Sequence, residues 1–389
     1  MLVRLSNAPR AYSWGSPHYL PVLTGRKVTG QPEAEIWYGD HPGDPADIVG
    51  SALTLDVHLQ RSGQASLPYL LKLLAAGSSL SIQAHPTRAQ AREGFAREEA
   101  AGIDRDAPER TYRDDNHKPE IIVALSDPFL ALAGLRPVAD TLSLLDELGA
   151  GETGLARILA GAGVTDPLRE ALRWALTEAT AAEIEAITDA VRTATTQSFE
   201  PEREVLARIT EDFPGDAGIL VALMMNLVTL RPGEGLFAAA GVLHAYQQGL
   251  GIELMAASDN VLRGGLTPKH LDVDELLRIV DTTPGEPAIL VPEEVAPGVR
   301  RYRADVDDFL LTRVAVREGD LREATLDGPS IAVAVEGRVR VEVDGDGEEL
   351  CPGEAVFFPG AHGVAQLRGD GVVYLASPGT AGDTPAMQP

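Results

Sequence analysis

The chain has 389 residues, of which 44% are apolar, and its 33 basic and 58 acidic side chains give a formal charge of −25. At roughly 150 residues per domain that length allows two or three domains with sizeable cores, and the apolar content excludes intrinsic disorder. The acidity argues against nucleic acid or an anionic membrane as a partner, and Cys351, the lone cysteine, excludes an internal disulfide framework.

Residues 1–75 carry short apolar alternations punctuated by Gly15, Pro17, Pro21, Gly39, Pro42, Gly43 and Pro45, which reads as short strands and loops. Thr54-Leu-Asp-Val-His58 alternates as a strand should. From about 139 to 212 the period changes. Leu142, Leu145 and Leu148, then Leu168, Leu172 and Leu176, then Ile184, Ile187 and Val191 recur at helical spacing. Asp166-Pro167 has the form of a helix start. Strand texture returns after 230, with a further helix expected near Val273–Val280. From 297 onward Ile331–Val335, Arg338–Val343, Ala355–Phe358 and Val372–Leu375 are separated by turns, as in a sandwich or barrel. Residues from Gly379 to Pro389 read as a loose tail. The opening residues lack a secretory pattern. The strongest apolar run, Ile219 to Val228, falls short of the ~20 residues of a membrane span. A reducing, cytoplasmic location is the expectation.

One echo runs through the chain. Pro232-Gly-Glu-Gly-Leu-Phe leads to His244, and Pro352-Gly-Glu-Ala-Val-Phe leads to His362. Two copies of a turn, a strand and a histidine suggest two related β-barrels. Beside His362, Glu354 is the other candidate ligand in the second copy. With no second pair there, that barrel reads as structural.

Four segments hold candidate chemistry. In Leu80-Ser-Ile-Gln-Ala-His-Pro86, strand alternation puts Gln83 and His85 on one face, where two ligands could share a metal. Glutamine is an unusual zinc ligand, however. In Asp114-Asp-Asn-His-Lys-Pro-Glu120 a polar knot runs into an apolar strand, so Glu120, flanked by His117 and Lys118, sits at a barrel mouth. A carboxylate there is costly unless paired or on a metal. His244 closes an apolar strand. Near Gly264 and Gly265 lie Asp259, Asn260, Arg263, Thr267 and Lys269, and a guanidinium beside such a loop can clamp a phosphate. Together Gln83, His85, Glu120 and His244 offer four N and O ligands. Lys72, Lys118, Arg263 and Lys269 supply cations that would draw an anionic small molecule into an acidic protein.

These residues resemble the type I phosphomannose isomerases, zinc enzymes of the cupin superfamily. The resemblance is carried in order by Ala11-Tyr-Ser-Trp-Gly15, Ala34-Glu-Ile-Trp-Tyr-Gly-Asp-His-Pro42, Leu67–Leu74, Leu80–Pro86, Tyr112–Glu120, Gly235–Tyr246 and Met255–Lys269. It implies a mainly β protein with an α-helical insertion: two cupin (jelly-roll) β-barrels plus a helical domain. The expected division is 1–138 with 216–290 as a discontinuous catalytic barrel, 139–215 as the helical domain and 291–389 as a cupin-like C-terminal barrel. It implies one Zn²⁺ per chain on Gln83, His85, Glu120 and His244. Arg263 falls on a catalytic position. Lys118, His117 and Asp259 fall on positions that handle protons or sugar, and Lys72, with Lys269 and Arg263, on substrate-binding positions. The implied reaction interconverts mannose 6-phosphate and fructose 6-phosphate by proton transfer between C1 and C2 through an enediol, feeding nucleotide-sugar synthesis. The implied partner is a small-molecule sugar phosphate, with no nucleic acid or membrane, and monomer and homodimer both fit. Among the proton-handling residues the sequence leaves the base open. A non-enzymatic sugar-phosphate-binding cupin is the alternative, and an iron dioxygenase is disfavoured by the glutamine. Ala238-Ala-Ala240 and Leu243 depart from the pattern in the pocket wall without removing a ligand.

Overall fold

The computed structural model describes residues 2–161, 163–360 and 362–379, so the expected tail beyond Gly379 lies outside the described residues. Within them the chain forms two antiparallel sheets of ten strands each. One sheet carries the strands Tyr69–Ala76, Gln83–Ala84, Glu120–Ala124 and His244–Ala256. The other is built on Leu310–Val316, Ser330–Val343, Ala355–Phe358 and His362–Ser377. Between Leu135 and Met225 the chain leaves the first sheet and forms six helices, from Val138–Glu147 to Gly218–Leu223.

Local chemistry explains these elements. Asp166 accepts the Arg169 N–H at 3.0 Å and Pro167 occupies the first helical turn, as expected. Thr180 and Glu183 form a reciprocal capping box at the start of Ala181–Thr193. The apolar stripes Leu168/Leu172 and Ile184/Ile187/Val191 are buried in one cluster with Ile82, Ala84, Leu243 and Leu262. The helical block thus rests on residues that alternate with Gln83, His85 and His244. On the first sheet's other side, Leu71, Leu73, Ile252 and Leu254 share a core with Leu311, Ile331, Phe357 and Tyr374 of the second.

Three expectations change. Thr54–His58 is no strand. Thr54 instead caps the helix Leu55–Ser62, its hydroxyl bonded to Asp56, and Leu55 and Leu59 bury one face. Five alternating residues fit either period, and burial of Leu55 and Leu59, four apart, is what a helix provides. Ile331–Val335 and Arg338–Val343 are one continuous strand, Ser330–Val343. The first strand, Val3–Ser6, pairs with Ala355–Phe358 and Asp47–Ile48, so the chain's opening residues belong to the second sheet.

The Pro-Gly-Glu echo is structural. Gly233 and Gly353 have φ of +89° and +84° and donate N–H bonds to Ala124 and Ala334. Those alanines' own N–H groups bond back to the carbonyls of Glu234 and Glu354. The two turns also lock the sheets reciprocally. Tyr302 donates its hydroxyl to the Gly233 carbonyl at 2.7 Å, and Tyr38 donates to Gly353 at 2.6 Å.

Candidate active site

A cavity of about 650 Å³ opens in the first sheet. Tyr69–Ala76 and Glu120–Ala124 flank His244–Ala256, with Lys72 opposite Glu253 and Glu120 opposite Met255. The long strand carries an irregularity between Tyr246 and Gln248. His244 and Glu253 are nine residues apart, so a regular strand would aim them at opposite faces. The extra residue shifts the alternation, and His244, Tyr246, Glu253 and Met255 all line the cavity.

Glu120 and His244 line it and meet the fully buried His85, with one ligand atom from each of the three within 4.8 Å of the others. His85 Nε2 lies 3.3 Å from one Glu120 oxygen, and His244 Nε2 lies 3.4 Å from the other. Each imidazole faces a backbone carbonyl through Nδ1, His85 towards Asn260 at 2.8 Å and His244 towards Val242 at 3.1 Å. Carbonyls only accept, so Nδ1 carries the proton and Nε2 presents a lone pair. Burial, opposed by Glu120, pushes His85 down to about 4, so the ring is neutral near pH 7. Burial alone would raise Glu120, but the charge of Lys118 outweighs it and holds the carboxyl well below its usual range. Gln83 sits directly across the ladder from His244, and its amide nitrogen donates to Ser81 at 3.2 Å, leaving its carbonyl oxygen as a ligand.

This donor set fits a zinc ion. His85 Nε2 is buried with no hydrogen-bond partner, the form a histidine takes when its second nitrogen awaits a metal. Two neutral imidazoles, a carboxylate and an amide oxygen suit a borderline cation.

The cavity also gathers Lys72, Lys118, Asp259, Arg263 and Lys269. Lys118 Nζ is 3.1 Å from Glu120. Lys72 is buried 2.8 Å from Glu253 and 3.6 Å from Glu35. Burial opposes its charge, but these carboxylates and Glu120 raise its pKa, so it stays an ammonium. Asp259 lies 3.3 Å from His41, whose hydrogen bond holds the carboxyl below its usual range. Arg263 is the ladder partner of Gln83. Burial, then the charge of Arg113, lowers its pKa. Burial, then Arg263 and Arg113, does the same for Lys269. Neither Arg263 nor Lys269 has an ion-pair partner among the described residues.

His117 is not brought to the cavity. Its Nε2 lies 2.7 Å from Asp308, which also binds Arg88 at 2.8 Å, so it ties the first sheet's mouth to the second half of the chain. Sequence reasoning missed Glu253 and His41, and named Asn260 without giving it a role. Asn260 is fully buried. Its side chain holds Arg113 N at 2.7 Å and the carbonyls of Asp114 and Asn116, both at 2.8 Å, while its own carbonyl takes His85.

Comparisons place this site among known proteins. Residues 2–138 match the family model described as phosphomannose isomerase type I, catalytic domain. Mannose-6-phosphate isomerase of Salmonella typhimurium is 34% identical over 386 residues, covering 95% of this chain and 97% of that protein. The Mus musculus enzyme is 30% identical, covering 89% and 84%. A crystal structure of mannose 6-phosphate isomerase bound with zinc and yttrium superposes with a TM-score of 0.87 at 32% identity, covering 97% of this chain and all of that one. The apo form from Salmonella typhimurium gives 0.88 with 97% and 99% coverage. On this likeness, the chain belongs to the type I mannose-6-phosphate isomerase family.

Proposed function

We propose that this chain, a zinc-dependent aldose–ketose isomerase, interconverts mannose 6-phosphate and fructose 6-phosphate in the 650 Å³ cavity, with Gln83, His85, Glu120 and His244 as the metal ligands. The observation that carries this assignment is the convergence of three buried ligand groups, the two histidines already in the tautomer a metal needs.

The reaction moves one proton between C1 and C2 of the open-chain sugar while the carbonyl and hydroxyl exchange places. When bound, zinc supplies a Lewis acid that offsets negative charge developing on the sugar oxygens, worth several kcal/mol. Asp259, ionised beside His41, accepts the proton and returns it at the neighbouring carbon. The Lys118 ammonium holds Glu120 and offers hydrogen bonds to the sugar hydroxyls. Lys72 is already matched by Glu253 and Glu35, so it orders those carboxylates towards the sugar rather than clamping a dianion. Arg263 and Lys269, uncompensated and crowded, take the phosphate. Arg263, beside Gln83, also stands near the reacting carbons.

The proposal extends to the architecture. The first sheet closes as a cupin barrel within 7–138 and 216–290, the helices of 139–215 are an insertion, and the described residues of 291–379, with Val3–Ser6, form a second cupin-like barrel. In that barrel Ser330 takes the place of Glu120: Ala334 bonds to Glu354 as Ala124 does to Glu234, and each lies four residues along its strand. Among the described residues it gathers no ligand set, and it serves as a support.

Purified protein assayed for isomerisation with and without a chelator tests the assignment. Turnover should vanish with the metal and return on adding zinc. Full turnover in metal-stripped protein refutes it, and sugar-phosphate binding without turnover would favour a binding protein instead.

A further inference from the structure

We infer that Asp216, between the helices Glu200–Asp212 and Gly218–Leu223, is a positioning residue for the substrate's phosphate: it seats the loop that carries Arg263 and Lys269. The inference rests on the phosphate reading above and adds the residue that holds that end of the cavity in place.

The loop is gripped from two sides. On one side Gly264 N–H bonds to the Ile82 carbonyl at 2.8 Å, and Ile82 N–H to the Gly265 carbonyl at 3.1 Å, beside Gln83. On the other, Asp216 Oδ1 accepts the Leu266 N–H at 3.0 Å and the Gly218 N–H at 2.7 Å, while Oδ2 accepts Thr267 N–H at 3.2 Å. The Thr267 hydroxyl then accepts Lys269 N–H at 3.2 Å. One carboxylate therefore joins the start of a helix to the backbone leading into Lys269.

Two features show that the loop needs this grip. Leu266 is buried at a φ of +55°, which L side chains rarely adopt and which persists where surrounding contacts enforce it. The backbones are also in direct contact: a Cβ on Gly265 would lie 2.5 Å from Gly218 Cα, and one on Gly218 2.5 Å from Leu266 N. Arg263 and Lys269 repel each other across this loop, so its preferred relaxation is to splay and widen the anion site. The segment supplying Asp216 follows directly on the helical block, which gives that block a part in substrate affinity.

The test uses zinc-loaded full-length protein and three variants, Asp216→Ala, Asp216→Asn and Lys269→Ala. It reads kcat, the KM for mannose 6-phosphate, the inhibition constant of inorganic phosphate and zinc content. Asp216→Ala should raise KM and the phosphate constant together by about 10-fold, with kcat within about 3-fold and zinc retained. Asp216→Asn, which keeps one accepting oxygen, should raise both by about 3-fold, and carries the test if the alanine variant does not fold. Lys269→Ala should raise both at least as far as Asp216→Ala. If only Lys269→Ala moves them, Asp216 does not position the site and the phosphate reading stands. If Lys269→Ala leaves them unchanged, the phosphate reading fails and the inference with it. Loss of kcat or zinc without a change in the phosphate constant marks Asp216 as merely structural and overturns the inference.

Discussion

His85 and His244 show how far a single side chain is determined by its neighbours. Each donates Nδ1–H to a carbonyl and turns Nε2 to a common point beside Glu120. Replacing either with alanine removes one of the proposed ligands, so zinc content should fall to background and kcat by at least about 10³-fold, measured by metal analysis and isomerisation assay. Asn260→Ala keeps the carbonyl that holds His85 but frees residues 113–116, and should weaken zinc by about 10-fold in a competition titration. The metal-free protein should also respond to pH through His85. Its pKa is about 4 when folded and near the ordinary 6.5 when unfolded, so the unfolded chain binds the extra proton between these values. Stability is therefore full above about pH 6.5 and falls as pH drops towards 4. Thermal midpoints of the metal-free protein should fall across that window, and those of His85→Asn should fall less. The proposed ligands were legible because Gln83-Ala-His85 and Lys118-Pro-Glu120 resemble a family signature. Glu253 was not: in Ile-Glu-Leu it reads as a solvent-facing residue of a half-buried strand, whereas both faces of that strand are covered.

At the level of elements, spacing and capping identified the helices of 139–212 and near 273–280 but not Arg88–Ala100, and strand alternation failed where a local event resets the period. Thr54–His58 has a helix cap at its first residue. His244–Ala256 has a bulge, and no sequence rule announces that residue 244 and residue 253 share a face. Glycine within an element is equally hard to interpret. Gly94 lies inside the helix Arg88–Ala100, where alanine would ordinarily stabilise by up to about 1 kcal/mol. A Cβ there would sit 2.3 Å from the buried Tyr112 ring, which is bonded to Glu275. Overpacking of this kind costs about 1–3 kcal/mol. Gly94→Ala should therefore lower the urea midpoint despite its better helix propensity; a rise would show that the ring yields freely.

Across the whole molecule, the repeated Pro-Gly-Glu turns and the reciprocal tyrosines couple an active sheet to one that lacks ligands. The echo was visible in sequence; the crossed Tyr38 and Tyr302 bonds were not, since they link residues 315 and 69 positions apart. Tyr38→Phe or Tyr302→Phe removes the donor from a partly buried carbonyl and should cost about 1 kcal/mol in denaturant unfolding, with turnover per bound zinc unchanged. No described helix is long and apolar enough to cross a membrane. The account stands on one metal position, and anomalous diffraction at the zinc absorption edge from zinc-loaded crystals tests it most directly. The expected map has a single strong peak within bonding distance of Gln83 Oε1, His85 Nε2, Glu120 and His244 Nε2. A peak elsewhere in the cavity, with these four side chains keeping hydrogen bonds to one another, would contradict it.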